Sequence, residues 1–261
     1  MRIGIIGMGT VGKAVFHANS QCDIIIRDPA LANSAPLSQF STCDGIYVCV
    51  PSPPDNSGKC DTLILEKTLR DLKLVILNNP IPIICKTTAP PSAYESLHLK
   101  YPSIVHYPEF LTAANSNSDY ANSTRSILGG DAVWCNRARY VISHTRDPKH
   151  EFITTNIKTA ALYKYMMNSY LATKVTFMND FKLLADTLNV NWDELTACAT
   201  TDDRIGNTHL QVPGPDGKYG WEGACFPKDI SAIIQEAIQL NANLQLLNSI
   251  VHINQYHRTL T

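Results

Sequence analysis

Arg2-Ile3-Gly4-Ile5-Ile6-Gly7-Met8-Gly9-Thr10-Val11-Gly12 opens the chain, an apolar run passing straight into G-x-G-x-x-G. The run has the isoleucine-rich character of a buried strand, and residues 11–19 have helical spacing, so the glycines stand at a strand-to-helix turn. Gly7 permits the tight turn, Gly9 lets main chain approach a pyrophosphate, and Gly12 lets the helix pack closely. Free amides at the helix start, around Thr10 and Val11, favour the anion. A second apolar strand ends at Asp28, 28 − 7 = 21 residues after Gly7. An acidic side chain about 20 residues on is placed to meet the adenosine ribose hydroxyls. Either feature alone is commonly no more than a turn; together they point to a dinucleotide. Asp28 would repel a ribose phosphate, so NAD is expected over NADP, with Arg27 pulling weakly the other way.

Working outward, short runs rich in Ile and Val recur at residues 2–6, 24–27, 45–50, 83–86 and 103–107, with helical patterns such as 11–19 and 61–72 between them. That rhythm predicts a parallel sheet with covering helices. Further strands are expected at 126–128, ending at Gly129-Gly130, and at 139–143. From about residue 151 the pattern turns helical. Residues 155–188 keep an apolar spacing without Pro or Gly, a helix of roughly 50 Å at 1.5 Å per residue. A helix that long needs partners on both sides, so a homodimer interface is expected along it. Shorter helices are expected at 191–200, 227–240 and 244–257, with a Gly- and Pro-rich loop over 206–223. The expected fold is therefore α/β: a Rossmann-type parallel sheet over residues 1–152, then an all-helical domain built on a long helix over 153–261.

Composition narrows the function classes. The 261 residues carry 22 Lys and Arg against 23 Asp and Glu, a net charge of −1, so nothing favours a nucleic-acid partner. No apolar stretch reaches the roughly 18–20 residues of a membrane span, and no signal peptide is expected in the run before the glycine loop, which is too short for one. The eight cysteines show neither CxxC nor Cys/His ligand spacing, so no metal site and no disulfide framework is expected. A reducing cytoplasm fits best.

Gly223-Ala224-Cys225-Phe226-Pro227-Lys228-Asp229 is the second informative stretch. Cys225 stands just before an expected helix with Pro227 suited to its first turn, and the positive end of that helix favours a thiolate. A cysteine is more often a small buried hydrophobe; what singles out Cys225 is its company.

With that company the chain resembles the UDP-glucose/GDP-mannose dehydrogenase family. Matching in order are the glycine loop; Val50-Pro51-Ser52-Pro53 with Gly58 and Asp61; Lys86-Thr87-Thr88; Pro108-Glu109-Phe110-Leu111; Lys164-x-x-x-Asn168; Asp203-Arg204-Ile205-Gly206; and the Cys225 loop. The resemblance implies NAD-dependent double oxidation of a primary alcohol on a nucleotide sugar. Cys225 would trap the intermediate aldehyde. Lys164 and Asn168, one helical turn apart, would steady the oxyanion. Glu109, with Asp229 and Thr88 ordering water, would assist thioester hydrolysis. It further implies cofactor contacts at Val50, Pro51 and Thr88, and substrate contacts at Glu109, Phe110, Leu111, Lys164, Asn168, Gly223 and Arg204, the last reaching a neighbouring subunit's substrate. Outside that context, Lys and Asn four apart on a helix are usually a solvated face, a glutamate after proline is usually exposed, and Asp229 in a first helical turn is usually a dipole partner.

Two departures stand out. Ala113 occupies a position where the family carries a second acidic residue. The family also has a C-terminal Rossmann-like domain holding the nucleotide, and the sequence stops at residue 261, right after the helices that would lead into it, so a short member is expected. The loop between Ile205 and Cys225 is long. Two alternatives remain: a single-oxidation dehydrogenase of the 3-hydroxyacid/6-phosphogluconate type, which has no need of Cys225, and an inactive NAD-binding protein.

Overall fold

The computed structural model describes residues 1–112 and 115–260; Ala113 lies outside them. The chain forms two compact units, Met1–Lys164 and Tyr165–Thr261.

The first unit contains β1 (Arg2–Ile6), α1 (Thr10–Ala18), β2 (Asp23–Arg27), β3 (Gly45–Val48), α2 (Leu63–Ile76), β4 (Ile83–Cys85), α3 (Pro91–Lys100), β5 (Ile104–His106), α4 (Ser116–Ala121), β6 (Arg125–Gly129), α5 (Ala132–Ser143), β7 (Glu151–Thr155) and the start of α6 (Ile157–Thr187). Its seven strands lie in the order β2-β1-β3-β4-β5-β6-β7. Every neighbouring pair is parallel except β5–β6, joined antiparallel at His106 and Gly129. The chain leaves β1 to one side for β2 and to the other for β3, which opens a crevice at the carboxyl end of β1 where the glycine loop begins.

Helices on both faces explain why the strands read as continuous apolar runs rather than alternating ones. Ile3, Ile5, Tyr47, Ile84, Val105 and Leu128 are all fully buried in one core. On α2, Leu65, Leu69, Leu72 and Ile76 recur at helical spacing and are all buried, each worth roughly 1.5–3 kcal/mol relative to exposure.

Two expectations fail. Residues 139–143 are not a strand but the end of α5. The Val141-Ile142 pair looks strand-like in isolation, yet with Cys135 and Ala138 it forms the buried stripe of a helix. Conversely, residues 151–155, expected to begin the helical region, form β7, a seventh strand paired along its length with β6. β7 closes the sheet's edge and is half exposed, so its sequence lacks the apolar density of a central strand.

In the second unit, α6 continues and is followed by α7 (Trp192–Ala199), α8 (Phe226–Gln239) and α9 (Gln245–His257). The unit's core gathers Ala172, Trp221, Ile230 and Ile250. Asn191 starts α7 by accepting from the amides of Asp193 and Glu194 at 2.9 and 3.3 Å, a side-chain N-cap. Among the described residues no helix is long and apolar enough to cross a membrane.

Candidate active site

The glycine loop has the shape that its three tasks require. Gly7 has φ +93°, and a Cβ there would lie 2.6 Å from the carbonyl oxygen of Cys49. A Cβ on Gly12 would lie 1.9 Å from the Gly7 carbonyl oxygen, so the helix packs on the loop only without one. A Cβ on Gly9 would meet nothing within 4 Å; that is the side from which a ligand's phosphates can approach. Gly9 is the N-cap of α1 and no side chain caps it, which leaves the amides near Thr10 and Val11 for an anion. Asp28 stands at the tip of β2, and its Oδ2 accepts from the Met8 amide at 2.6 Å. Its carboxylate is thus fixed beside the loop, where ribose hydroxyls can still donate to its remaining lone pairs. These residues fit NAD.

Around the carboxyl ends of β3 and β4 the chain is tightly bound. Thr87 Oγ1 donates to the Val50 carbonyl at 2.8 Å, and Ser52 Oγ donates to the Thr88 carbonyl at 2.6 Å. Val50 and Thr88 are buried while Pro51 is exposed. The Val-Pro-Ser and Lys-Thr-Thr segments therefore brace each other beside the cradle.

Beyond β5 the same unit assembles a buried charge cluster. Lys164 donates to the Glu109 backbone carbonyl at 2.5 Å and to its carboxylate at 3.1 Å. Lys164 is 2% exposed, and its ammonium lies 5.0 Å from the Phe110 ring centroid. The second carboxylate oxygen of Glu109 accepts from the Leu111 amide at 2.7 Å. Burial by itself would raise the pKa of Glu109, but the Lys164 ammonium and the Leu111 amide outweigh it and hold the carboxyl below its usual range. Neither Lys164 nor Glu109 occupies the solvated surface that such residues most often have.

Lys86 joins this cluster, although sequence reading gave it no role. It follows β4 directly, is buried, sits 3.4 Å over the Tyr107 ring and donates to the Pro108 carbonyl at 3.4 Å. Burial pulls its pKa down to about 7 against the opposing pull of Glu109. A lysine at the carboxyl end of a central parallel strand, where ligands bind in such sheets, was the available signal.

The second unit carries the remaining candidates. Asn168 Nδ2 donates to Asp229 Oδ2 at 2.6 Å, and Lys228 donates to Asp229 Oδ1 at 2.5 Å. Asn168 is 5% exposed and Asp229 1%. Asp229 is thus bound by side chains on two elements, where a surface dipole partner would face water. Its amide also donates to the Cys225 carbonyl at 2.9 Å. Cys225 is the N-cap of α8 and is exposed. Gly223, two residues earlier, has φ +87°. Arg204 is exposed and held by Asp202 through its backbone amide and guanidinium, with Nε at 2.9 Å. Of the cysteines, Cys198 and Cys225 are exposed.

Residues 30–142 match the NAD binding domain of the UDP-glucose/GDP-mannose dehydrogenase family, and residues 158–256 match its central domain. The UDP-glucose 6-dehydrogenase TuaD of Bacillus subtilis is 24% identical over 230 residues, an alignment covering 85% of this chain and 48% of TuaD. The chain thus spans about half the length of that relative. In fold it is similar to a UDP-glucose dehydrogenase from the archaeon Pyrobaculum islandicum, with a TM-score of 0.83 at 20% identity over 98% of this chain and 68% of the other. It is also similar to a 3-hydroxyisobutyrate dehydrogenase of Mycobacterium tuberculosis, with a TM-score of 0.73 at 18% identity over 99% and 95% of the two chains.

Proposed function

The chain belongs to the UDP-glucose/GDP-mannose dehydrogenase family, and on that premise we propose that it is an NAD-dependent nucleotide-sugar 6-dehydrogenase carrying a primary alcohol to a carboxylate in two oxidations. The observation that carries this reading is the burial of Lys164 against Glu109, a charged pair withdrawn from water beyond the carboxyl end of the sheet.

NAD+ in the glycine cradle supplies the hydride acceptor for each oxidation. In the first, the alcohol loses a hydride and a proton to become an aldehyde. The Cys225 thiolate then adds to the aldehyde carbon to give a thiohemiacetal, whose oxyanion is steadied by an N–H of Lys164 and by the Asn168 carboxamide. Loss of a second hydride gives a thioester. Water, oriented by Glu109, Asp229 and Thr88, attacks that carbonyl, releasing the carboxylate and restoring the thiol. Phe110, Leu111 and Gly223 bound the sugar. A serine at position 225 could not do this work, being barely ionised at neutral pH.

The reading includes a homodimer formed along α6. Met166, Tyr170, Phe177, Phe181 and Leu184 are exposed along it at steps of three, four and seven residues, the spacing of one helical face. Arg204, held outward by Asp202, would serve the neighbouring subunit's substrate. A cytoplasmic location suits eight cysteines scattered without paired spacing.

The test is NADH formation by the purified chain with NAD+ and UDP- or GDP-sugars, set beside 3-hydroxyacids. Oxidation of a nucleotide sugar supports the reading. Oxidation of a hydroxyacid alone favours the single-oxidation alternative, which has the same fold and no use for Cys225. Absence of turnover with either class overturns both.

A further inference from the structure

The stretch leading to Cys225 is rich in glycine, so hydrogen bonds rather than packing must shape it. Asn179 on α6 accepts from the Gly220 amide at 2.8 Å. Asn254 on α9 does more: its Oδ1 accepts from the Trp221 amide at 2.7 Å and its Nδ2 donates to the Trp221 carbonyl at 2.9 Å. One carboxamide thereby satisfies both main-chain groups of a residue 33 positions away, as an adjacent strand would. The approach is close, since a Cβ on Gly220 would lie 2.5 Å from Asn254 Oδ1. The Trp221 indole donates to Thr176 Oγ1 at 2.9 Å, and its ring meets Phe226 edge-on with centroids 6.4 Å apart. On the far side, the Cys225 carbonyl is held by the Asp229 amide in the first turn of α8. Glu222, Gly223 and Ala224 span the interval between these two anchors, and all three are exposed.

We propose that Asn254 is the positioning residue for Cys225: by holding both main-chain groups of Trp221 it fixes where the thiol stands at the head of α8. The inference rests on the reading of Cys225 as the nucleophile, yet the contact can be tested without nucleotide-sugar turnover. Loss of the carboxamide leaves two buried main-chain groups unpaired, a state the loop relieves by moving. Cys225 then loses its fixed place at the head of α8, and helix starts are where cysteines are activated.

The experiment measures iodoacetamide alkylation of Cys225 across pH by mass spectrometry, with the exposed Cys198 as internal reference. It compares the parent chain with Asn254→Ala, Asn254→Asp and Thr176→Val. Asn254→Ala slows Cys225 relative to Cys198 by about five-fold or more at neutral pH and displaces its pH profile. Asn254→Asp keeps the acceptor for the Trp221 amide but not the donor to its carbonyl, and falls between. Thr176→Val releases the indole but not the Trp221 main chain, so it lowers Tm and leaves the profile in place. A Cys225 profile within about two-fold of the parent in the Asn254 variants that fold overturns the proposal. So does an equal displacement in Thr176→Val, which would mean general loosening. Should Asn254→Ala fail to fold, Asn254→Asp decides. A chain whose Cys225 answers to Asn254 but which oxidises no nucleotide sugar refutes the proposed function and leaves this contact standing.

Discussion

Lys164 grips Glu109 twice, at the backbone carbonyl and at the carboxylate, with the two side chains only 3% and 11% exposed. Breaking one partner of such a pair leaves the other charge buried and unmatched, at about 3–5 kcal/mol. Lys164→Ala is expected to lose stability on that scale in urea unfolding, and adding Glu109→Gln should recover part of it. A single variant as stable as the parent would show that the pair is not what holds this corner together.

Lys86 makes a statement about pH. Its pKa falls from 10.5 in the unfolded chain to about 7 in the fold, chiefly through burial. Between those values the unfolded state binds more protons, so stability rises as pH climbs through that window. Below 7 the buried ammonium carries its full cost. Cys43 and Cys49, raised from 9.0 to about 12 by burial, act in the opposite sense above pH 9, so the clean interval runs from 7 to 9. Unfolding free energy should rise there by up to about 1 kcal/mol per pH unit, and the slope should vanish in Lys86→Met. A flat parent profile would contradict the assignment.

Asp28 is braced by the Met8 amide and should set the cofactor preference. NAD+ is expected to raise Tm more than NADP+ does, with Asp28→Ala narrowing the gap. Gly12→Ala, whose Cβ would meet the Gly7 carbonyl at 1.9 Å, should abolish the NAD+-dependent shift. Equal stabilisation of the parent by both dinucleotides would refute the role given to Asp28.

The glycine cradle, the parallel sheet and the long helix were legible because each depends on local pattern: glycines between strand and helix, Ile-rich runs, and unbroken helical spacing. What was hidden depends on distant partners. Val141 and Ile142 look like a strand until Cys135 and Ala138 complete the helical stripe. β7 is recognisable only through its pairing with β6. The candidate site residues divide similarly. Glu109, Lys164, Asn168 and Asp229 were nameable by resemblance, but the burial that separates them from solvated surface residues exists only once the chain folds. For Lys86 the sequence shows its place at the end of a strand but not its burial over a tyrosine ring.

The exposed aromatic pair Phe177 and Phe181, with ring centroids 4.6 Å apart, tests the proposed assembly. Light scattering should find a dimer for the parent chain and a monomer for Phe177→Glu combined with Phe181→Glu. A parent chain that stays monomeric at micromolar concentration would remove both the dimer and the role of Arg204 across it.

The most direct measurement counts NADH formed per molecule of nucleotide sugar consumed, for the parent chain and for Cys225→Ser. Two NADH per carboxylate are expected from the parent. The serine variant should stall near the aldehyde, with acid formation down by several orders of magnitude, because a hydroxyl is a far poorer nucleophile than a thiolate. One NADH per substrate from the parent, or undiminished acid formation by Cys225→Ser, would contradict the double oxidation through Cys225.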